Sequence, residues 1–332
     1  MENNKGWCTF PDEMFLEEME TRVVPFLKEN VQEGTCTGWD GTQLHYYYAN
    51  RENAKGSMVL SHGFCEFFGK YHELCYYFYE QGYSFYFLEH RGHGYSGRKL
   101  DEWDKVYVED YSDYVKDLKC FLDQVVLPVM AEKEEDAKNL FLYAHSMGGA
   151  IGALFLEEYP DYFAGAVLSS PLMELNLGKY PKLVVQLLLL RAKLLHLETE
   201  YVPGQKGFDG VRMFAGSCAM SKPRYEYTFR MRENDFHNQT YGGCYSWTGA
   251  SIRATRRLQK NAAKVAVPVL LFQAGRDTMV KKHGQDIFCQ RAKHVQCVYL
   301  EESKHEIFNG TAEIREAYYE KLFAFLDANR SK

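Results

Sequence analysis

Short apolar runs alternate with longer stretches of helical periodicity along most of this 332-residue chain. The runs at 56–60, 83–88, 140–143, 164–168, 267–272 and 295–300 read as buried strands, because a sheet covered on both faces loses the polar alternation of a half-exposed one. Residues 34–49 place a turn at Asp40-Gly41 between two further runs and predict a hairpin. Residues 71–81, 111–126 and 312–329 predict helices. This alternation predicts an α/β class, with a mostly parallel central sheet and helices on both faces. From 172 to 263 the alternation stops, and that interval reads as a helical cap inserted into one core. The expected organisation is an N-terminal segment 1–33 packing on the core, core parts 34–171 and 264–332, and the cap 172–263. The aromatic run Tyr76-Tyr77-Phe78-Tyr79 is expected to pack on the sheet rather than to hold a ligand.

The most informative stretch is Ala144-His145-Ser146-Met147-Gly148-Gly149, set between the run 140–143 and a helix-like segment from Ala150. A serine pinched between strand and helix, with small residues two before and two after it, is the nucleophile elbow of an α/β-hydrolase. Such a turn strains the serine backbone and brings strand and helix so close that bulky neighbours would clash. Ala144 stands where the strict pattern has glycine, and one extra methyl is expected to be tolerated.

In this fold the acid and then the histidine follow the serine, each at a strand end. Asp277 and His305 occupy those places after the runs 267–272 and 295–300. Glu301 and Glu302 are alternatives for the acid, disfavoured because they lie so close to His305 in sequence. His283 and His294 fit the base poorly, the first opening a helix and the second preceding a strand. The chemistry needs all three groups: an imidazole takes the hydroxyl proton, and a carboxylate orients and balances that imidazole. The backbone amides of Met147 and of Phe64, after His62-Gly63, are the expected oxyanion donors. The rival His93-Gly94-Tyr95-Ser96-Gly97 follows the wrong strand and reads as a structured turn. His62, His90 and His93 are expected to hydrogen-bond loops.

Net charge of −6 and the lack of a basic stripe interleaved with aromatics argue against a nucleic-acid partner. Any membrane contact must then be local and apolar. No apolar stretch is long enough to span a bilayer, and residues 1–8 lack the pattern of a secretory signal. The 9 cysteines are odd in number and form no Cys-x-x-Cys pair. They predict reduced thiols in a cytoplasmic protein, with neither a disulfide framework nor a zinc site. Cys65 is expected to be a buried filler.

The segments His62 to Tyr71, Glu89 to Gly97 and Ala144 to Gly149 resemble the monoacylglycerol lipase and bacterial lysophospholipase family. The bacterial branch shares the elbow Ala-His-Ser-Met-Gly-Gly, and its cap carries a stretch similar to Arg224-Tyr225 through Tyr241-Gly242-Gly243 and Trp247. The resemblance runs from about Gly34 to Leu326. It implies Ser146, Asp277 and His305 as triad and Phe64 and Met147 as oxyanion donors. Cys65 and Phe67 depart from its usual small or polar residues.

In the cap, residues 179–196 form an apolar helix with a narrow polar stripe of Lys179, Lys182, Gln186, Lys193 and His196. Burial against the core is the preferred expectation, and contact with a bilayer surface is the alternative. His62, Gly63, Leu187, Leu190 and Trp247 are candidate substrate contacts. Arg253, Arg256, Arg257 and Lys260 recur at helical spacing, which predicts a solvated face, with a phosphate site as the alternative. The expected activity is hydrolysis of carboxylic esters of single-chain lipids through an acyl-enzyme on Ser146. It calls for no metal, redox cofactor or obligate protein partner, and for a cytoplasmic location with peripheral contact at the inner membrane face. Alternatives are an esterase for short or aromatic esters and a ligand-binding protein on the same fold.

Overall fold

A computed structural model describes residues 9–331 of the chain, so Cys8 and the expectation drawn from residues 1–8 lie outside the described residues. Eight strands form one sheet: β1 (Gln32–Thr37), β2 (Gln43–Ala49), β3 (Gly56–Ser61), β4 (Tyr83–Leu88), β5 (Leu140–His145), β6 (Gly165–Ser169), β7 (Val269–Ala274) and β8 (Val295–Leu300). Their order is β1-β2-β4-β3-β5-β6-β7-β8. The β1–β2 hairpin and the β2–β4 pair are antiparallel, and every other pair is parallel. Every residue of β3 to β7 is buried, which explains their near-continuous apolar runs. The edge strand β8 is half exposed.

The main helices are α1 (His72–Glu80), α2 (Tyr111–Phe121), α3 (Met147–Glu158), α4 (Lys182–Leu194), α5 (Lys222–Asn234), α6 (Tyr245–Asn261), α7 (Lys282–Arg291) and α8 (Ala312–Asn329). Two apolar cores result, one on each face of the sheet. The first gathers α2, α3 and α6, and the second gathers α1, α8 and the helical residues 15–30. Phe15, Met19, Val23 and Phe26 supply that last segment's buried stripe, at three- and four-residue spacing. Tyr76, Tyr77 and Phe78 are buried in the second core. Two buried arginines fasten the N-terminal segment, because Arg224 Nη2 and Arg315 Nη2 both donate to the Phe10 carbonyl at 2.9 Å.

Between β6 and β7 no described residue joins the main sheet. Gly242–Gly243 instead pairs with Lys105–Val106 in a small parallel ladder. The expected cap, 172–263, includes helix α6. Helix α6 packs on α3 and α7, and its Trp247, Ala250, Ala254 and Leu258 belong to the first core. Its regular apolar spacing does not distinguish a cap helix from a core helix.

The reduced-thiol expectation needs correction. Cys289 on α7 and Cys297 on β8 form a disulfide, while the other six described cysteines are free. The pair has no motif spacing, and only the return of α7 onto the edge strand brings it together. Disulfides persist in oxidising compartments, so cysteine usage no longer argues for a reducing one. No helix among the described residues is long and apolar enough to cross a membrane.

Candidate active site

At the end of β5 the chain turns so sharply that Ser146 takes φ 52° and ψ −116°, and α3 begins at the next residue. The glycines after it make this turn possible. A Cβ on Gly148 would lie 2.0 Å from the Ser61 carbonyl oxygen, and one on Gly149 would lie 2.5 Å from Pro171 Cβ. The end of β6 and the segment after it pin the elbow: Ser146 N donates to the Ser169 carbonyl at 3.1 Å, and Leu172 N donates to the Ser146 carbonyl at 2.8 Å. His145 is wholly buried beside Ser146, and burial pushes its pKa down to about 4.

The loops after β7 and β8 bring the other two groups to this serine. His305 Nε2 lies 2.8 Å from Ser146 Oγ, and its Nδ1 lies 2.6 Å from Asp277 Oδ2. Asp277 Oδ1 accepts the amides of Met279 and Val280 at 2.7 and 3.0 Å. Burial pushes the Asp277 carboxyl upward, but the histidine and the two amides outweigh it and hold the group below its ordinary value. An ionised Asp277 therefore favours the tautomer with hydrogen on Nδ1, which leaves Nε2 free to accept the serine proton. Among the described residues, no protein acceptor takes the amide of Phe64 or Met147. Such amides suit an oxygen that is gaining negative charge.

The loop carrying Phe64 is braced by a buried ionic cluster that sequence reasoning missed. Glu66 accepts the Gly63 amide at 2.6 Å and the Tyr71 hydroxyl at 2.5 Å. Lys70 Nζ bridges Glu66 at 2.7 Å and Glu306, the neighbour of His305, at 2.6 Å. Burial opposes both charges, yet Lys70 and His145 hold Glu66 below its usual range, and the two carboxylates hold Lys70 above its own. The four-residue spacing of Glu66 and Lys70 was a signal for this pair, but the third member, from a distant loop, left none.

A cavity of about 340 Å³ is walled by Phe64, Val185, Leu188, Leu189, Trp247 and Met279, so it shares Phe64 with the expected oxyanion site and Met279 with the loop that holds Asp277. The Phe64 and Trp247 rings lie 4.2 Å apart. Of the candidate substrate contacts, Trp247 lines this cavity, and Leu187, Leu190, His62 and Gly63 do not. Leu187 and Leu190 are 57% and 54% exposed, because α4 turns its other apolar stripe to the cavity. His62 is buried, with Nδ1 2.8 Å from the Gly63 carbonyl and Nε2 accepting the His90 amide, and the Gly63 amide is spent on Glu66. The preferred burial of α4 is corrected, since only Val185 and Ala192 are buried along it. Ser96 Oγ donates to the Glu89 carbonyl in a turn. Two residues of the basic face are engaged within the chain, Arg257 with Glu158 and Arg253 with the Glu109 carbonyl.

Parallel sheet, strained elbow and Ser–His–Asp relay together define the class, a serine hydrolase of the α/β-hydrolase fold. Residues 52–312 match the family described as serine aminopeptidase, S33 (Hydrolase_4), and the chain belongs to that family. It is 28% identical over 300 residues to lysophospholipase L2 of Escherichia coli K12, spanning 90% of this chain and 84% of that protein. It is 25% identical over 280 residues to a monoacylglycerol lipase of Mycolicibacterium smegmatis, spanning 83% and 91%. A soluble variant of the monoglyceride lipase of Saccharomyces cerevisiae, solved with a substrate analog, has the same fold. There the TM-score is 0.71 at 19% identity, over 91% of this chain and 96% of the other.

Proposed function

We propose that this chain hydrolyses carboxylic esters of lipids with one acyl chain, of the lysophospholipid or monoacylglycerol kind. The observation that carries this reading is a complete hydroxyl–imidazole–carboxylate relay together with an apolar cavity of about 340 Å³ whose wall includes Phe64, the expected oxyanion donor. In the proposed mechanism His305 takes the Ser146 proton as Oγ attacks the ester carbonyl, and the amides of Phe64 and Met147 hold the resulting oxyanion. Asp277 steadies the imidazolium. The C–O bond to the alcohol then breaks, His305 returns the proton to the leaving oxygen, and water clears the acyl-enzyme by the same steps in reverse.

The family description raises a peptidase reading. Glu66 and Glu306, which could otherwise take a substrate's ammonium, are both occupied by Lys70. The apolar cavity therefore favours the ester. Peripheral membrane contact is part of the proposal, through the outward leucines of α4.

The test ranks kcat/KM for lysophosphatidylcholine, a monoacylglycerol and a short p-nitrophenyl ester. Ser146→Ala is expected to lower turnover by about 10⁴ or more and to abolish fluorophosphonate labelling. Residual labelling at another serine, or a peptide as best substrate, would sink the reading.

A further inference from the structure

Helix α5 carries an arginine, Arg232, that makes no direct salt bridge with a described residue, though Glu66 and Glu306 lie near enough to attract its charge. Arg232 Nη2 donates to the Cys65 carbonyl at 2.5 Å, and the guanidinium lies 5.6 and 5.8 Å from the ring centroids of Phe67 and Tyr241. Among the described residues no carboxylate stands within salt-bridge distance of it. Arg224 on the same helix behaves differently, pairing with Glu73 and Asp12. Nε of Arg232 is buried without an acceptor, while Nη1 is neither bonded nor sealed off. A largely desolvated cation is costly unless something pairs with it. A guanidinium anchored by one nitrogen and free at another is suited to an oxyanion ligand.

Its position says which part of a substrate it could meet. Cys65, held at φ 59°, directly follows Phe64, whose ring walls the apolar cavity and whose amide is an expected oxyanion donor. The cavity and the guanidinium therefore engage adjacent residues of one loop. An ester with its carbonyl oxygen on that loop and its acyl chain in the cavity keeps its alcohol portion outside the cavity.

We propose that Arg232 binds the phosphate of the leaving alcohol, so that the site prefers lysophospholipids to neutral monoacylglycerols. This assignment rests on the lipid-ester reading above and names the head group within it. Nη1 is the donor to a phosphate oxygen, and the Cys65 carbonyl fixes the orientation of the fork.

The experiment measures kcat/KM for a lysophosphatidylglycerol and a monoacylglycerol of equal chain length, in the full-length protein and in Arg232→Gln and Arg232→Lys. Arg232→Gln is expected to lower the ratio of the two efficiencies by about 10- to 100-fold, mainly through KM for the phospholipid, as loss of a charge-assisted hydrogen bond would. Arg232→Lys should restore part of that ratio, because a point charge still attracts phosphate. An unchanged ratio would overturn the assignment, including the case where both efficiencies fall together because Arg232 merely balances the Glu66–Lys70–Glu306 cluster. If Arg232→Gln does not fold, the wild-type protein decides through inhibition of p-nitrophenyl butyrate hydrolysis. Glycerol 3-phosphate should then inhibit competitively at least about tenfold more strongly than glycerol, and equal inhibition would overturn the proposal. Hydrolysis of p-nitrophenyl butyrate with neither lipid cleaved would instead end the lipid reading itself, and this assignment with it.

Discussion

Ser146 has positive φ in a residue with a side chain, a conformation that surrounding contacts must impose. Here the contacts are main-chain bonds from β6 and the Leu172 segment, together with the close seating of α3 on β3. That seating depends on Gly148, because the atom facing its missing Cβ is a backbone oxygen, which cannot rotate away. Gly148→Ala is therefore expected to cost about 3 kcal/mol or more of stability, at the upper end of overpacking effects, and to lower activity in what remains folded. Urea unfolding at equilibrium measures it, and a change within error would refute the packing argument. The need for a small residue at 148 was legible in the sequence because the elbow is a local motif. The pairing of Lys70 with Glu306 and of Arg232 with the Cys65 carbonyl was not legible, because these partners come from segments far apart along the chain.

Helix α4 shows how an element can be recognised while its orientation is missed. Its sequence is apolar around most of the circumference, and burial was the natural expectation. The structure divides that circumference in two. Val185, Leu188, Leu189 and Ala192 turn inward, and Leu183, Leu187, Leu190 and Leu194 form an outward row, with Leu183 and Leu194 66% and 70% exposed. A contiguous exposed apolar row calls for a partner surface, and a bilayer is the one proposed here. Replacing Leu187 and Leu194 together by Glu should reduce co-sedimentation with phosphatidylglycerol-containing liposomes by at least about tenfold, given ~1.5–3 kcal/mol for each fully buried leucine. Undiminished sedimentation would remove the membrane role. The wide apolar arc was readable in advance. Which half faces the protein depends on where the rest of the chain docks.

The molecule as a whole buries titratable groups whose protonation links pH to stability. Burial pushes His62 and His145 down to about 4 and His72 to about 3, and it lowers His90 and His93 as well. Unfolded imidazoles take up protons near 6.5 while these folded ones do not, so their contribution to stability is lost as pH falls from 6.5 towards 4. Glu89 and Glu157 act in the opposite sense. Burial raises both to about 7, so they favour the folded state fully below 4.5 and lose that contribution as pH rises from 4.5 to 7. Burial also raises Asp113 and Asp117, but five imidazoles still outnumber these four carboxyls, and Tm is expected to fall on acidification from pH 6.5 to 4. Glu89→Gln removes part of the opposing contribution and should steepen that fall. Calorimetric scans across this range test both statements, and a Tm that rises on acidification would contradict them.

Strand and helix order, the elbow at Ser146 and the places of Asp277 and His305 could be read from the chain alone, because periodicity and turn geometry act over neighbouring residues. The disulfide between Cys289 and Cys297, the core packing of α6, the cavity stripe of α4 and the seating of Arg232 on the Cys65 carbonyl emerged only once the elements had docked. Each depends on contacts between segments whose distance in space bears no simple relation to their separation in sequence.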